Sequence, residues 1–118
     1  MEILGKKIPS ALDGKSFLSS LYHPDVYADR GPIFWHYPHF SNQEGRPAGA
    51  VRLGDFKLIE NYETGEITLY NLRVDVSEQH DLSKSLPKKK EELFSIFTKW
   101  KNDTHANMPR PNPNYSAK

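Results

Sequence analysis

Between residues 33 and 72 the apolar positions come in short β-prone runs, and beyond residue 86 they recur at helical spacing. Ile33-Phe34-Trp35-His36-Tyr37 is aromatic and β-prone, which predicts a strand that Pro38 stops or places at an edge. His39 to Pro47 reads as a loop. Ala48 to Leu53 alternates, with Ala50 and Arg52 on one face and Val51 and Leu53 on the other. Two β-prone runs, Phe56 to Tyr62 and Glu66 to Leu72, flank Glu63-Thr64-Gly65. A short connection containing glycine predicts a hairpin, because glycine takes the positive φ such turns need.

After the polar stretch Arg73 to Lys84, Ser85 is placed to cap a helix from about Leu86 to Thr104. Pro87 falls in its first turn, where a missing amide proton costs nothing. Leu93, Ile96, Phe97 and Trp100 follow i, i+3, i+4, i+7 and form one apolar stripe. Upstream, Asp13 is placed to cap a short helix with Phe17, Leu18 and Leu21 on one face, and Tyr22 to Pro32 reads as a loop. The expected fold is α+β: a small antiparallel β-sheet, a C-terminal helix packed on one face and a short N-terminal helix. The expected division is a linker at 1–11, one subdomain at 12–106 and an extended Pro-rich tail at 107–118.

Composition narrows the chemistry. Apolar residues are only 36% of the 118, but 12% are aromatic, so a thin, aromatic-rich core is expected. Sixteen basic and fifteen acidic residues leave a net charge of +1, which gives no drive toward nucleic acid or an anionic membrane. Lys88-Lys89-Lys90 is offset at once by Glu91-Glu92 and reads as a solvated helix face. There are no cysteines, so disulfides, thiolate metal sites and cysteine nucleophiles are excluded. No apolar run reaches the ~18 residues of a membrane span, and the N-terminus has no apolar signal core.

Three stretches invite a chemical reading. His36-Tyr37-Pro38-His39 suggests a metal, but histidines three apart on a strand point to opposite faces and no third ligand is near. His36 therefore reads equally as a hydrogen-bonded core residue or a substrate contact. Arg46 and Arg52 bracket small residues and are placed to hold an anion or to stand as ordinary solvated side chains. Ser85-Leu86-Pro87-Lys88-Lys89 approximates a Cys/Ser-x-Pro-x-Arg motif, with Lys89 where arginine is required; a helix start explains Ser85 and Pro87. No RNP-like motif accompanies the aromatics.

Several segments, taken in order, carry a family resemblance. Leu12-Asp13-Gly14-Lys15-Ser16-Phe17-Leu18 resembles the segment that opens the C-terminal region of sulfatases. Phe34 to His39 is similar to an aromatic-histidine stretch downstream of it, and Gly45 to Arg52 to the loop and strand that follow. Gly54-Asp55-Phe56-Lys57-Leu58-Ile59, Glu66 to Leu72 and Glu78 to Leu82 resemble two later strands and the turn before the last helix, and Met108 to Tyr115 resembles the tail. The resemblance implies the C-terminal subdomain of a bacterial-type, formylglycine-dependent sulfatase of the alkaline-phosphatase-like superfamily. It implies that calcium and the formylglycine belong to a catalytic domain outside this chain, and that the chain alone is inactive and holds no catalytic or metal residue. The implied partners are that catalytic domain and a sulfated carbohydrate or aryl sulfate, with His36, His39 and Arg46 as candidate substrate contacts. The implied location of the parent is periplasmic or secreted. The isolated piece is expected to expose an apolar patch and self-associate. The competing expectation is an independent carbohydrate-binding or interaction module using Trp35 and Tyr37.

Overall fold

Four strands, β1 (Ile33–Tyr37), β2 (Ala48–Leu53), β3 (Phe56–Asn61) and β4 (Ile67–Asn71), form one antiparallel sheet in chain order. The computed structural model describes residues 2–12, 14–24 and 30–114. Its two compact units comprise residues 1–31 and 32–118. The α+β architecture expected from the sequence is present: the sheet, a long helix α2 (Pro87–Asp103) and a short helix α1 (Leu18–Tyr22).

Turn chemistry sets the strand register. Gly54 and Asp55 join β2 to β3 between the paired residues Leu53 and Phe56, with Gly54 at φ +59°. Between β3 and β4, the Asn61 side-chain oxygen accepts the Glu63 and Thr64 amides at 2.9 and 3.2 Å. Gly65 then takes φ +72° and donates to the Asn61 carbonyl, so the glycine-containing connection is the hairpin turn that the sequence predicts.

Register aligns Phe34, Val51, Leu58 and Leu69 in one row across the sheet. Three of these, with Leu93 and Phe97 of α2, are fully buried and form the core. Each such side chain contributes about 1.5–3 kcal/mol relative to exposure. The α2 stripe is the predicted one: Ile96 and Trp100 pack against the same cluster. Phe34 stacks on Trp100 with ring centroids 4.7 Å apart and planes 4° apart. The outer edge of β4 is capped locally. Leu82 donates its amide to the Leu69 carbonyl, and the Leu69 amide donates to Asp81 Oδ1 at 3.0 Å. Desolvation pushes the Asp81 carboxyl up, but the Leu69 and Ser83 amides and the Ser83 hydroxyl together hold it below its ordinary value.

Both helix starts differ from the sequence expectation. Leu86 is the N-cap of α2 and makes no side-chain capping bond; the Ser85 hydroxyl instead donates back to the Leu82 carbonyl at 3.2 Å. Pro87 does occupy the first turn. Asp13, the expected cap of the short helix, lies outside the described residues. That helix begins only at Leu18, has Phe17 as N-cap and buries no residue; Phe17 and Leu21 are exposed. In the same unit Lys15 Nζ donates to the Arg30 carbonyl at 3.0 Å, and the Arg30 guanidinium lies over the Phe17 ring at 3.6 Å.

The end of α2 carries a left-handed residue that is not glycine. His105 has φ +51° and donates to Asn102, while Ala106 donates to Lys101, the paired bonds of a Schellman termination. A Cβ disfavours that conformation by about 1–2 kcal/mol. His105→Gly is therefore expected to raise the unfolding free energy by about 1 kcal/mol, read from the urea midpoint at unchanged slope. A fall in the midpoint would contradict this account of the helix end.

Candidate functional site

The row next to the core places His36, Gly49, Glu60 and Ile67 side by side on the face that α2 covers. Gly49 leaves room there. A Cβ on it would lie 2.0 Å from the Tyr62 hydroxyl and 2.5 Å from Phe97 Cζ. Tyr62 follows β3, and its amide donates to the Pro47 carbonyl at 2.9 Å, which aims the ring across Gly49 toward His36.

Both ring nitrogens of His36 are engaged within the chain. Nε2 lies 3.0 Å from the Asn107 carbonyl, which only accepts, so Nε2 carries a proton. Nδ1 lies 2.7 Å from the Tyr62 hydroxyl, and in the neutral ring that hydroxyl donates to it. Tyr62 is suited to the donor role: burial, with the neighbouring Glu60 carboxylate, raises its phenol above the ordinary range. Glu60 is itself ion-paired to Lys101, both side chains being largely buried. The Lys101 ammonium sits 4.7 Å from the Phe97 ring centroid and 5.5 Å from that of Tyr62.

Above this network lies a groove of about 950 Å³. Phe40, Arg46, Tyr62, Glu63, Arg110 and Pro111 are among the residues that line it. Its near wall is the 41–47 loop. Ser41 Oγ accepts the Gly45 amide at 2.9 Å, the Ser41 amide donates to the Gly45 carbonyl, and Glu44 adopts φ +63°. The far wall is the proline-rich segment after α2, held at its root by the His36–Asn107 bond. Arg46 pairs with Glu63 at 2.7 Å, with the two side chains 65% and 42% exposed. An ion pair that exposed contributes under about 1 kcal/mol and exchanges readily with an incoming anion. Arg110 is exposed and makes no ion pair among the described residues.

Of the three residues singled out from the sequence, Arg46 lines the groove. His36 stands one side chain behind it, holding Tyr62 and the root of the tail. His39 is not among the lining residues, and its ring meets Tyr37 edge-on at 5.7 Å. Tyr62, Glu63 and Arg110 went unnoticed in the sequence. The one signal for Arg110 is its position between Pro109 and Pro111, which stiffen the backbone on both sides. Arg52 donates to the Gly54 carbonyl at 3.1 Å and takes no part in the groove. Among the described residues no three His, Cys, Asp or Glu side chains converge on a metal position.

The groove has two guanidinium groups, Arg46 and Arg110, two carboxylates, Glu44 and Glu63, and aromatic and prolyl walls. It suits binding of an anionic, ring-shaped ligand. No known family profile matches the sequence, and no curated protein matches it either. Solved structures do match its fold. One, determined in complex with its substrate D-glucosamine-2-N,6-O-disulfate, superposes with a TM-score of 0.67 at 24% identity, over 92% of this chain and 23% of that one. A Bacteroides thetaiotaomicron protein assigned as a sulfatase gives a TM-score of 0.71 at 17% identity, over 95% and 25%. A sulfatase of glycosaminoglycan metabolism from the same organism gives 0.56 at 21%, over 86% and 23%. The chain thus has the fold of one segment of sulfatases and spans about a quarter of the length of these structures.

Proposed function

We propose that this chain is the C-terminal subdomain of a formylglycine-dependent sulfatase, that it packs on a catalytic domain, and that its groove forms part of the substrate cleft. The observation that carries the reading is the fold likeness to sulfatase structures over 86–95% of this chain against a quarter of theirs. In this reading residues 12–106 are the subdomain, 1–11 the connection to it and 107–118 a tail. Calcium and the formylglycine belong to the catalytic domain, and the parent acts in the periplasm or outside the cell.

The ligand is a sulfated carbohydrate. One structural neighbour is bound to a sulfated glucosamine, and two arginines beside aromatic and prolyl walls suit a sulfate ester on a sugar ring. Arg46 and Arg110 are the sulfate contacts, with Tyr62 against the ring. His36 acts by fixing Tyr62 and the tail, and His39 contacts ligand reaching past the groove mouth. A second reading, an independent carbohydrate-binding module, draws support from Trp35 and Tyr37, which are about half exposed on the sheet face opposite α2.

Titration of the labelled chain with glucosamine 6-sulfate, followed by NMR, separates the two. The expected result is weak, saturable shifts at Arg46 and Arg110 that the unsulfated sugar does not produce, and that Arg46→Ala with Arg110→Ala abolishes. Equal response to the unsulfated sugar, centred on Trp35 and Tyr37, would favour the module. The same sample with calcium and an aryl sulfate is expected to show no turnover; hydrolysis above background would overturn the proposed inertness.

A further inference from the structure

The groove carries charge of both signs, and the signs are divided between its walls. On the near side stand Glu44, Arg46 and the Glu63 carboxylate paired to that arginine, two negative charges against one positive. The far wall, the tail segment, contributes Arg110 as its charged lining residue. Arg46 and Glu63 satisfy each other at 2.7 Å. Glu44 and Arg110 do not share in that balance. Both are exposed, and neither side chain makes an ion pair or a hydrogen bond with any described residue. A sulfate ester alone answers the positive wall and leaves a carboxylate facing it.

Glu44 is fixed in place by its loop. Ser41 Oγ accepts the Gln43 and Gly45 amides, on either side of it, at 3.3 and 2.9 Å. The Glu44 φ of +63° lies in the left-handed region, where a Cβ is disfavoured and glycine is not. The neighbouring Gly45 is demanded by space, since a Cβ there would meet Ser41 Oγ at 2.5 Å. At position 44 a glutamate instead takes the unfavourable backbone, and its carboxylate makes no contact within the chain that would offset it. Backbone strain of this kind concentrates at ligand sites.

We propose that the groove selects a sulfated amino sugar whose amine is free and protonated, with the sulfate on the arginines and the ammonium on Glu44. The proposal rests on the reading of the groove as a sulfated-carbohydrate site and adds what stands at the sugar nitrogen. In a pyranose, C2 lies across the ring from C5, which bears C6, so a 2-amine and a 6-sulfate leave opposite ends of one ring. That separation of charge matches walls of opposite sign, and Phe40 and Tyr62 supply aromatic lining for the ring itself. Acetylation of the nitrogen removes the cation. N-sulfation replaces it with an anion, so the disulfated glucosamine bound by one structural neighbour would set two like charges together at Glu44.

The test compares glucosamine 6-sulfate, N-acetylglucosamine 6-sulfate and glucosamine-2-N,6-O-disulfate by NMR titration of the labelled chain. Low salt and about pH 6 keep the ion pairs unscreened and the sugar amine protonated. The free amine is expected to bind about threefold tighter than the N-acetyl sugar, the size of one exposed ion pair, with the disulfate weakest. Glu44→Gln is expected to erase the preference for the amine and to strengthen the disulfate. Glu44→Gly is expected to erase it too while raising the thermal midpoint, because glycine accepts the left-handed backbone; this separates loss of the carboxylate from loss of the fold. Equal affinity for the amine and N-acetyl sugars, a disulfate that binds tightest, or a preference that survives Glu44→Gln would overturn this inference and leave the sulfate site standing. Binding of none of the three, or binding that Arg46→Ala with Arg110→Ala leaves intact, would overturn the assignment of the groove and this inference with it.

Discussion

Gly49→Ala is expected to destabilise the sheet-helix unit by about 3 kcal/mol, near the upper end for overpacking, and to shift its thermal midpoint down by roughly 10 °C or more. The added methyl group would fall 2.0 Å from the Tyr62 hydroxyl, 2.8 Å from its Cζ and 2.5 Å from Phe97 Cζ. None of these atoms gives way freely. Phe97 is fully buried and packs beside the stacked rings of Phe34 and Trp100, and Tyr62 is bonded at its hydroxyl to His36 and at its amide to Pro47. Relief requires moving α2 off the sheet or turning the Tyr62 ring into the groove, and either disturbs the site.

Two further variants test the cause. Gly14→Ala, where a Cβ meets nothing within 4 Å, is expected to change stability by less than about 0.5 kcal/mol. Combining Gly49→Ala with Tyr62→Phe removes the nearest clashing atom, so the pair is expected to cost less than the sum of the two single changes. Strict additivity, or a Gly49→Ala protein as stable as the parent, would show that the close approach of Tyr62 is not what demands glycine.

The sheet, the hairpin and the α2 stripe were legible in the sequence because each depends on residues within a few positions of one another. Alternation places Val51 and Leu53 inward, Gly65 marks the turn, and helical spacing selects Leu93, Ile96, Phe97 and Trp100. What failed was local chemistry with two outcomes. Ser85 precedes a helix and looks like its cap, yet its hydroxyl turns back to Leu82 because the chain enters α2 from a turn bound to the β4 edge. The site was less visible for a related reason. His36 finds Tyr62 at 26 residues' separation and the Asn107 carbonyl at 71, and no periodicity encodes such a meeting. Arg110 becomes part of a groove only because that bond holds the tail against the sheet. Arg46, lying in the loop that forms the other wall, was within reach of sequence reasoning, whereas its partner Glu63 sits in a hairpin turn that reads as turn alone.

Lys101→Met is expected to cost about 3 kcal/mol or more, because it leaves the Glu60 carboxylate largely buried without a counter-charge. The two side chains are 12% and 16% exposed, and Glu60 faces Tyr62, whose hydroxyl is committed to His36. Glu60→Gln is expected to cost less. The ammonium it strands still lies over the rings of Phe97, Tyr62 and Phe94 at 4.7–5.8 Å, and those rings retain part of its stabilisation. Methionine keeps the packing of the lysine stem, so the difference between the variants isolates charge from volume. The double variant, with neither charge, is expected to be more stable than Lys101→Met alone, and the loss in each single variant is expected to persist at 1 M salt, where an exposed pair such as Arg46–Glu63 is screened. Urea unfolding of the four proteins at low and high salt measures all of this. A Lys101→Met loss below about 1 kcal/mol, or one that salt removes, would place this ion pair with the surface pairs and leave Tyr62 held by His36 and Pro47 alone.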